Sequence, residues 1–114
     1  MENDSRIFIE TSDFTELWHD MKLTDEDLRE LQNRIWSNPQ VGDTIKGTSG
    51  ARKTRVKLFN TGKSGGARVI YVNTGNITYL MLCYPKSVKD DLTKEQENQL
   101  KQKVIRIKGG DKDG

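Results

Sequence analysis

In the stretch ARKTRVKLF, residues 51–59, Lys53, Arg55 and Lys57 stand at alternate positions. Side chains two residues apart on an extended chain point the same way, so the three cations share one strand face. Like charges in such a row repel one another unless an anion or water satisfies them, and a phosphate backbone is a natural partner. Arg68 follows in a second strand-like run, and Tyr84-Pro85-Lys86 closes a third. Tyr71, Tyr79 and Tyr84 offer ring faces on which an unstacked base could rest. Core packing with a bonded hydroxyl fits Tyr71 and Tyr79 better, whereas Tyr84, beside a cationic segment, suits either role. Together these residues read as an RNA-binding set. They are also compatible with RNA cleavage, because the 2′-hydroxyl is a built-in nucleophile against the adjacent phosphate. A protein then has to align the backbone, offset charge on the pentacoordinate transition state and move protons. Arginine and lysine suit the charge, and a phenol or a lysine suits the protons.

Other chemistries lack their residues. His19 is the single histidine and Cys83 the single cysteine, so no His/Cys metal set is readable. No cofactor is expected. Cys83 lies in the apolar run YLMLCY, where a buried structural thiol is the simplest reading. Carboxylate pairs occur in helix turns, where capping and solvation explain them, and no Ser-His-Asp or Cys-His arrangement is present. Gly62-Lys63-Ser64, within NTGKSGGARVI, imitates the end of a nucleotide-binding P-loop. The full motif places its first glycine at position 57, which is Lys57, and requires a helix straight afterwards; here a β-branched run follows. These glycines read as hairpin-loop geometry close to an RNA backbone, with Lys63 as a contact.

The charge distribution supports a polyanion partner. The net charge of +2 conceals eleven acids against four bases over residues 1–43, then 46 residues, 44–89, with nine bases and no acid. Those bases are Lys46, Arg52, Lys53, Arg55, Lys57, Lys63, Arg68, Lys86 and Lys89. Such asymmetry within one small chain concentrates a basic surface whose cations have few internal partners. A chain of 114 residues suits one domain, expected over residues 1–108 with a flexible tail at 109–114. No signal peptide or membrane-length apolar run is present, so a soluble cytoplasmic protein is the expectation.

The elements that must position these residues are legible in outline. Residues 6–10 suit a short strand. Phe14, Leu17, Trp18 and Met21 fall at i, i+3, i+4 and i+7 of a helix starting near Ser12 or Asp13. Thr24 caps a second helix with carboxylates in its first turn, an apolar stripe of Leu28, Leu31 and Ile35, and an end at Asn38-Pro39. Trp18 and Trp36 read as packing residues. Residues 40–50 read as a loop, followed by strands over 51–59, 67–72 and 77–84, with a longer hairpin loop over 60–66 and a tight turn over 73–76. TKEQ, residues 93–96, has the capping-box pattern and starts a last helix with Leu100 and Val104 as its docking stripe. The expected class is α+β: an N-terminal strand and helical hairpin on an antiparallel sheet, plus a C-terminal helix. One sheet face packs on helices and the other is expected to be free for function.

Across residues 7–105 the order of motifs resembles the HigB-type branch of the RelE/ParE toxin superfamily. The likeness rests on a helix ending in N-P, then GDTIKGTSGARKTR, then GKSGGARVIY, then YPK and DLT before a last helix. It implies a RelE-like fold and the toxin of a type II toxin–antitoxin pair: a metal-independent, ribosome-dependent mRNA endoribonuclease neutralised by a cognate antitoxin protein. By the same resemblance, Arg55 and Lys57 match a cationic strand pair, and Arg68 an arginine at the scissile phosphate. Tyr84 and Lys86 match the tyrosine and lysine at the sheet's end, for stacking or proton transfer and for charge stabilisation. Lys46, Arg52, Lys53, Lys63 and Lys89 are the further RNA or ribosome contacts. Ala51 and Thr54 replace leucines common in such chains, Ser49 replaces a glycine and Ser87 an asparagine, and none of these removes a charge. A ParE-like gyrase poison and a non-catalytic RNA-binding protein are the alternatives. The retained arginine, tyrosine and lysine favour the ribonuclease branch.

Overall fold

Three threonines set the helices. Thr11 Oγ1 accepts from the Phe14 N–H at 3.0 Å and starts α1, Ser12–Asp20. Thr24 Oγ1 accepts from Asp27 N–H while Asp27 Oδ2 accepts from Thr24 N–H, a reciprocal box that starts α2, Asp25–Ser37. Thr93 and Gln96 repeat the device ahead of α3, Lys94–Gly109. Each box satisfies backbone donors that a helix N-terminus otherwise leaves unpaired. The structure, a computed structural model, describes residues 5–58, 66–89 and 91–109. Phe59, the loop carrying Lys63 and the tail at 110–114 lie outside them.

The strands are β1 (Ile7–Glu10), β2 (Asp43–Thr44), β3 (Arg52–Val56), β4 (Ala67–Thr74) and β5 (Ile77–Pro85). They form one sheet in the order β1-β5-β4-β3-β2, in which β1 runs parallel to β5 and every other pairing is antiparallel. The glycine-containing segment expected to be wholly loop thus contributes the two-residue strand β2, which no hydrophobic period could announce. The strand expected over 51–59 ends as β3 at Val56, with Leu58 buried beyond it. The hairpin between β4 and β5 turns on Gly75, at φ +60°.

Each sheet face carries its own core. Phe14 and Trp18 of α1, stacked at 5.4 Å, and Leu31 and Ile35 of α2 pack with Val69, Tyr71, Leu80 and Cys83. Leu100 and Val104 of α3 pack on the opposite face with Ala51, Ile70, Val72, Met81 and Tyr84. The second face is therefore not free along its whole length. Ile70, Val72 and Met81 are apolar and need cover, α3 supplies it, and only the part near the start of β4 is left to cations. Trp36 is half-exposed at the end of α2, off the stripe that Leu31 and Ile35 bury, an edge position rather than a core one. Among the described residues, no helix is long and apolar enough to cross a membrane.

Cys83 is a core thiol, as its apolar run implies, and donates to the Phe14 carbonyl at 3.7 Å. Burial, with a smaller push from Glu10, raises its pKa from 9.0 to about 12. Since the thiolate is the reactive form, alkylation of the native protein near neutral pH is expected to be at least ~100-fold slower than in denaturant. The raised value also means that folding favours the protonated thiol. That contribution is complete below pH 9 and is lost as pH climbs towards about 12. The stability gap between wild type and Cys83→Ala should narrow across that window, as measured by urea melts.

Candidate nucleic-acid interface

Strand register brings the separated cations together. Arg55 of β3 lies opposite Arg68 of β4, and Arg68 lies opposite Tyr84 of β5. Residues directly opposite each other share a sheet face, so the three form a row across three strands. Lys53 stands two residues along β3 on the same face, beside Arg55. Arg55 is exposed and Arg68 only 7% exposed, so one guanidinium makes the rim and the other the floor. They line a cleft of about 340 Å³ with Val41, Asp43, Lys53 and Thr54.

Tyr84 is 5% exposed, and the Lys89 ammonium sits 5.0 Å from its ring centroid. That cation–π contact and the packing beneath α3 occupy the ring, so a base cannot stack on that face without displacing Lys89. Lys86 follows β5 in an exposed turn, and its N–H donates to the Gly66 carbonyl at 2.9 Å. The end of β5 is thereby tied to the residue that leads into Arg68's strand.

Two acids enter the basic face from outside the acid-free stretch. Asp43 pairs across β2–β3 with Lys53, and Asp91 approaches the Lys53 ammonium at 2.9 Å. The expectation that these cations have few internal partners is corrected at Lys53, because the chain beyond residue 89 folds back over the sheet. Asp91 is 80% exposed, so its ion pair contributes little to stability. Asp91→Asn is expected to tighten RNA binding about 2–3-fold and to steepen its salt dependence by up to ~1 in the log–log slope, read by anisotropy titration at several salt concentrations.

The other residues singled out from the sequence lie elsewhere. Arg52 is opposite Tyr71, on the α1–α2 side, and donates to the Gly42 carbonyl at 2.6 Å, so alternation sends it away from Lys53 and Arg55. Lys57 lies beyond the end of β3 and lines a hollow against α2. Lys46 is exposed in the loop after β2. The Tyr71 hydroxyl donates to the Pro39 carbonyl and accepts from the Gly42 N–H, and burial raises its pKa. Tyr79 packs half-buried on the α3-side core. One residue was missed: Arg34 of α2 donates to the Arg55 carbonyl at 2.6 Å and to Thr54 Oγ1 at 3.3 Å. It satisfies the edge that β2, pairing only with Arg52 and Lys53, leaves open. No local pattern marks it, since its partners are some twenty residues away.

Among the described residues, no group of three or more His, Cys, Asp or Glu could hold a metal ion. The chain matches, over residues 5–110, the family model described as the RelE toxin of the RelE/RelB toxin–antitoxin system. Among solved structures it is similar to the free state of an E. coli RelE toxin carrying two arginine-to-alanine substitutions. The two share 12% identity with a TM-score of 0.53, covering 75% of this chain and 88% of the other. At that identity the likeness shows a common fold.

Proposed function

The chain belongs to the RelE toxin family of RelE/RelB toxin–antitoxin systems, and we propose that it is an endoribonuclease that cuts mRNA on the ribosome. The motifs around residues 42–55 and 62–71 support a HigB-type toxin in this reading, one that acts in the cytoplasm and is neutralised by a cognate antitoxin protein. The observation that carries the proposal is the cross-strand row of Arg55, Arg68 and Tyr84, with Lys86 at its end.

The 2′-oxygen bonds to phosphorus and the bond from phosphorus to the 5′-oxygen breaks, leaving a 2′,3′-cyclic phosphate and a 5′-hydroxyl. A proton leaves the 2′-hydroxyl and another reaches the departing oxygen. Arg68 and Arg55 offset the charge that grows on the phosphoryl oxygens, from fixed positions on a sheet that need not reorganise. Lys86 and Tyr84 are the candidates for moving the protons. Because Lys89 covers the Tyr84 ring, the phenol edge suits Tyr84 better than base stacking does. No metal takes part in this scheme.

The test is addition of purified protein to ribosomes carrying a defined mRNA, with 5′-end mapping. Cuts within the ribosome-protected segment that disappear when the antitoxin is added are the expected result. Intact mRNA accompanied by inhibited gyrase supercoiling would overturn the proposal in favour of a gyrase poison.

A further inference from the structure

One face of α2, from Asp27 to Arg34, and the open edge of β3 border a second hollow of about 350 Å³, lined also by Glu30, Leu31, Arg55, Val56 and Lys57. We infer that this hollow seats the base of a nucleotide flanking the cleavage point, and that Glu30 selects bases carrying an exocyclic amino group. The inference rests on the ribonuclease reading and adds a specificity site to it.

Three observations carry it. Arg55 lines both the cleft and the hollow, so the two spaces adjoin across one residue of β3 and neighbouring nucleotides of one strand can reach both. The hollow carries Arg55 and Lys57 on the β3 side and Asp27 and Glu30 on α2, while the third cation, Arg34 of α2, is turned onto the Arg55 carbonyl and Thr54 Oγ1. Leu31, buried, and Val56, half-buried, supply an apolar floor between them. A nucleotide has the matching order, with phosphate towards the cations, a flat apolar ring across the floor and base-edge donors towards the carboxylates. Asp27 and Glu30 repel a phosphate from their part of the hollow, which orients it towards Arg55 and Lys57. Asp27 Oδ2 is already engaged by the Thr24 N–H at 2.9 Å in the capping box, which leaves the exposed Glu30 as the better placed acceptor. A carboxylate accepts from the amino group of cytosine, adenine or guanine, but meets a carbonyl oxygen at the same position of uracil. Arg34 holds the β3 wall of this site through its bond to the Arg55 carbonyl.

Cytidine and uridine test the idea, since cytosine presents an amino group at C4 and an acceptor at N3 where uracil presents an oxo group and an N–H, so a preference for C reports a carboxylate held at the C4 amino group. The probes are 2′-O-methyl trinucleotides of C and of U, which cannot be cut, titrated into the isotopically labelled full chain and followed by backbone amide NMR. Expected are shifts at Glu30, Leu31 and Val56, with C binding about 5–10-fold tighter than U, and a ratio near one in Glu30→Gln. Shifts confined to the Arg68 cleft, equal affinity of wild type for the two probes, or a preference that survives Glu30→Gln would overturn the inference. So would α2 shifts produced by the antitoxin and by neither trinucleotide. Loss of ribosome-dependent cleavage alone would sink the enzymatic reading and leave the NMR result standing.

Discussion

Arg68→Ala is expected to slow cleavage of ribosome-bound mRNA by about 10²–10³-fold, the usual cost of removing one preorganised group aimed at developing negative charge. The expected size follows from position. Arg68 is 7% exposed, between Arg55 and Tyr84 on neighbouring strands, so water replaces its guanidinium poorly. A surface arginine such as Arg29 on α2 has no comparable setting, and its loss should be silent. Arg68→Lys keeps the charge but not the planar donor fork, and an intermediate rate is expected. Single-turnover rates on programmed ribosomes, with a thermal melt to verify folding, make the comparison. Full activity in a folded Arg68→Ala protein would remove this residue from the chemistry.

Gly66→Ala is expected to cost about 2–4 kcal/mol of stability and to lower activity with it. Gly66 has φ +63°, and a Cβ there would strike the Val56 carbonyl oxygen, a backbone atom that cannot turn aside. Its own carbonyl accepts from the Lys86 N–H, so any displacement moves Lys86 and the start of β4 together. Gly75 is the control. Its φ is +60°, but a Cβ there meets nothing within 4 Å, so Gly75→Ala should cost only about 1 kcal/mol, from the backbone conformation alone. Urea denaturation of both variants separates strain from collision. Equal losses would show that the contact with Val56 is not decisive.

Much of the scaffold could be read from the chain because its signals are local. Thr24 and Asp27, or Thr93 and Gln96, meet within one helical turn, and the same short range explains why Phe14 and Trp18 could be placed on one buried face. The alternation that set Lys53 and Arg55 on one strand face was equally local. It also assigned Arg52 to the other face, although the acid-free stretch had grouped all nine bases together. Lys57 kept that alternation only on paper, since β3 ends before it.

The chain by itself therefore determined the helix starts, the strand faces, the concentration of cations and the family pattern. Tertiary structure decided which of those cations meet. Register placed Arg55, Arg68 and Tyr84 in one row, Arg34 reached the edge of β3, and Asp91 returned to Lys53 across 38 residues. It also decided that α3 would cover most of the face that had seemed open. The reason is range: capping and alternation are settled within a few residues of backbone geometry, whereas register and helix docking are settled by burying apolar surface from the whole chain at once.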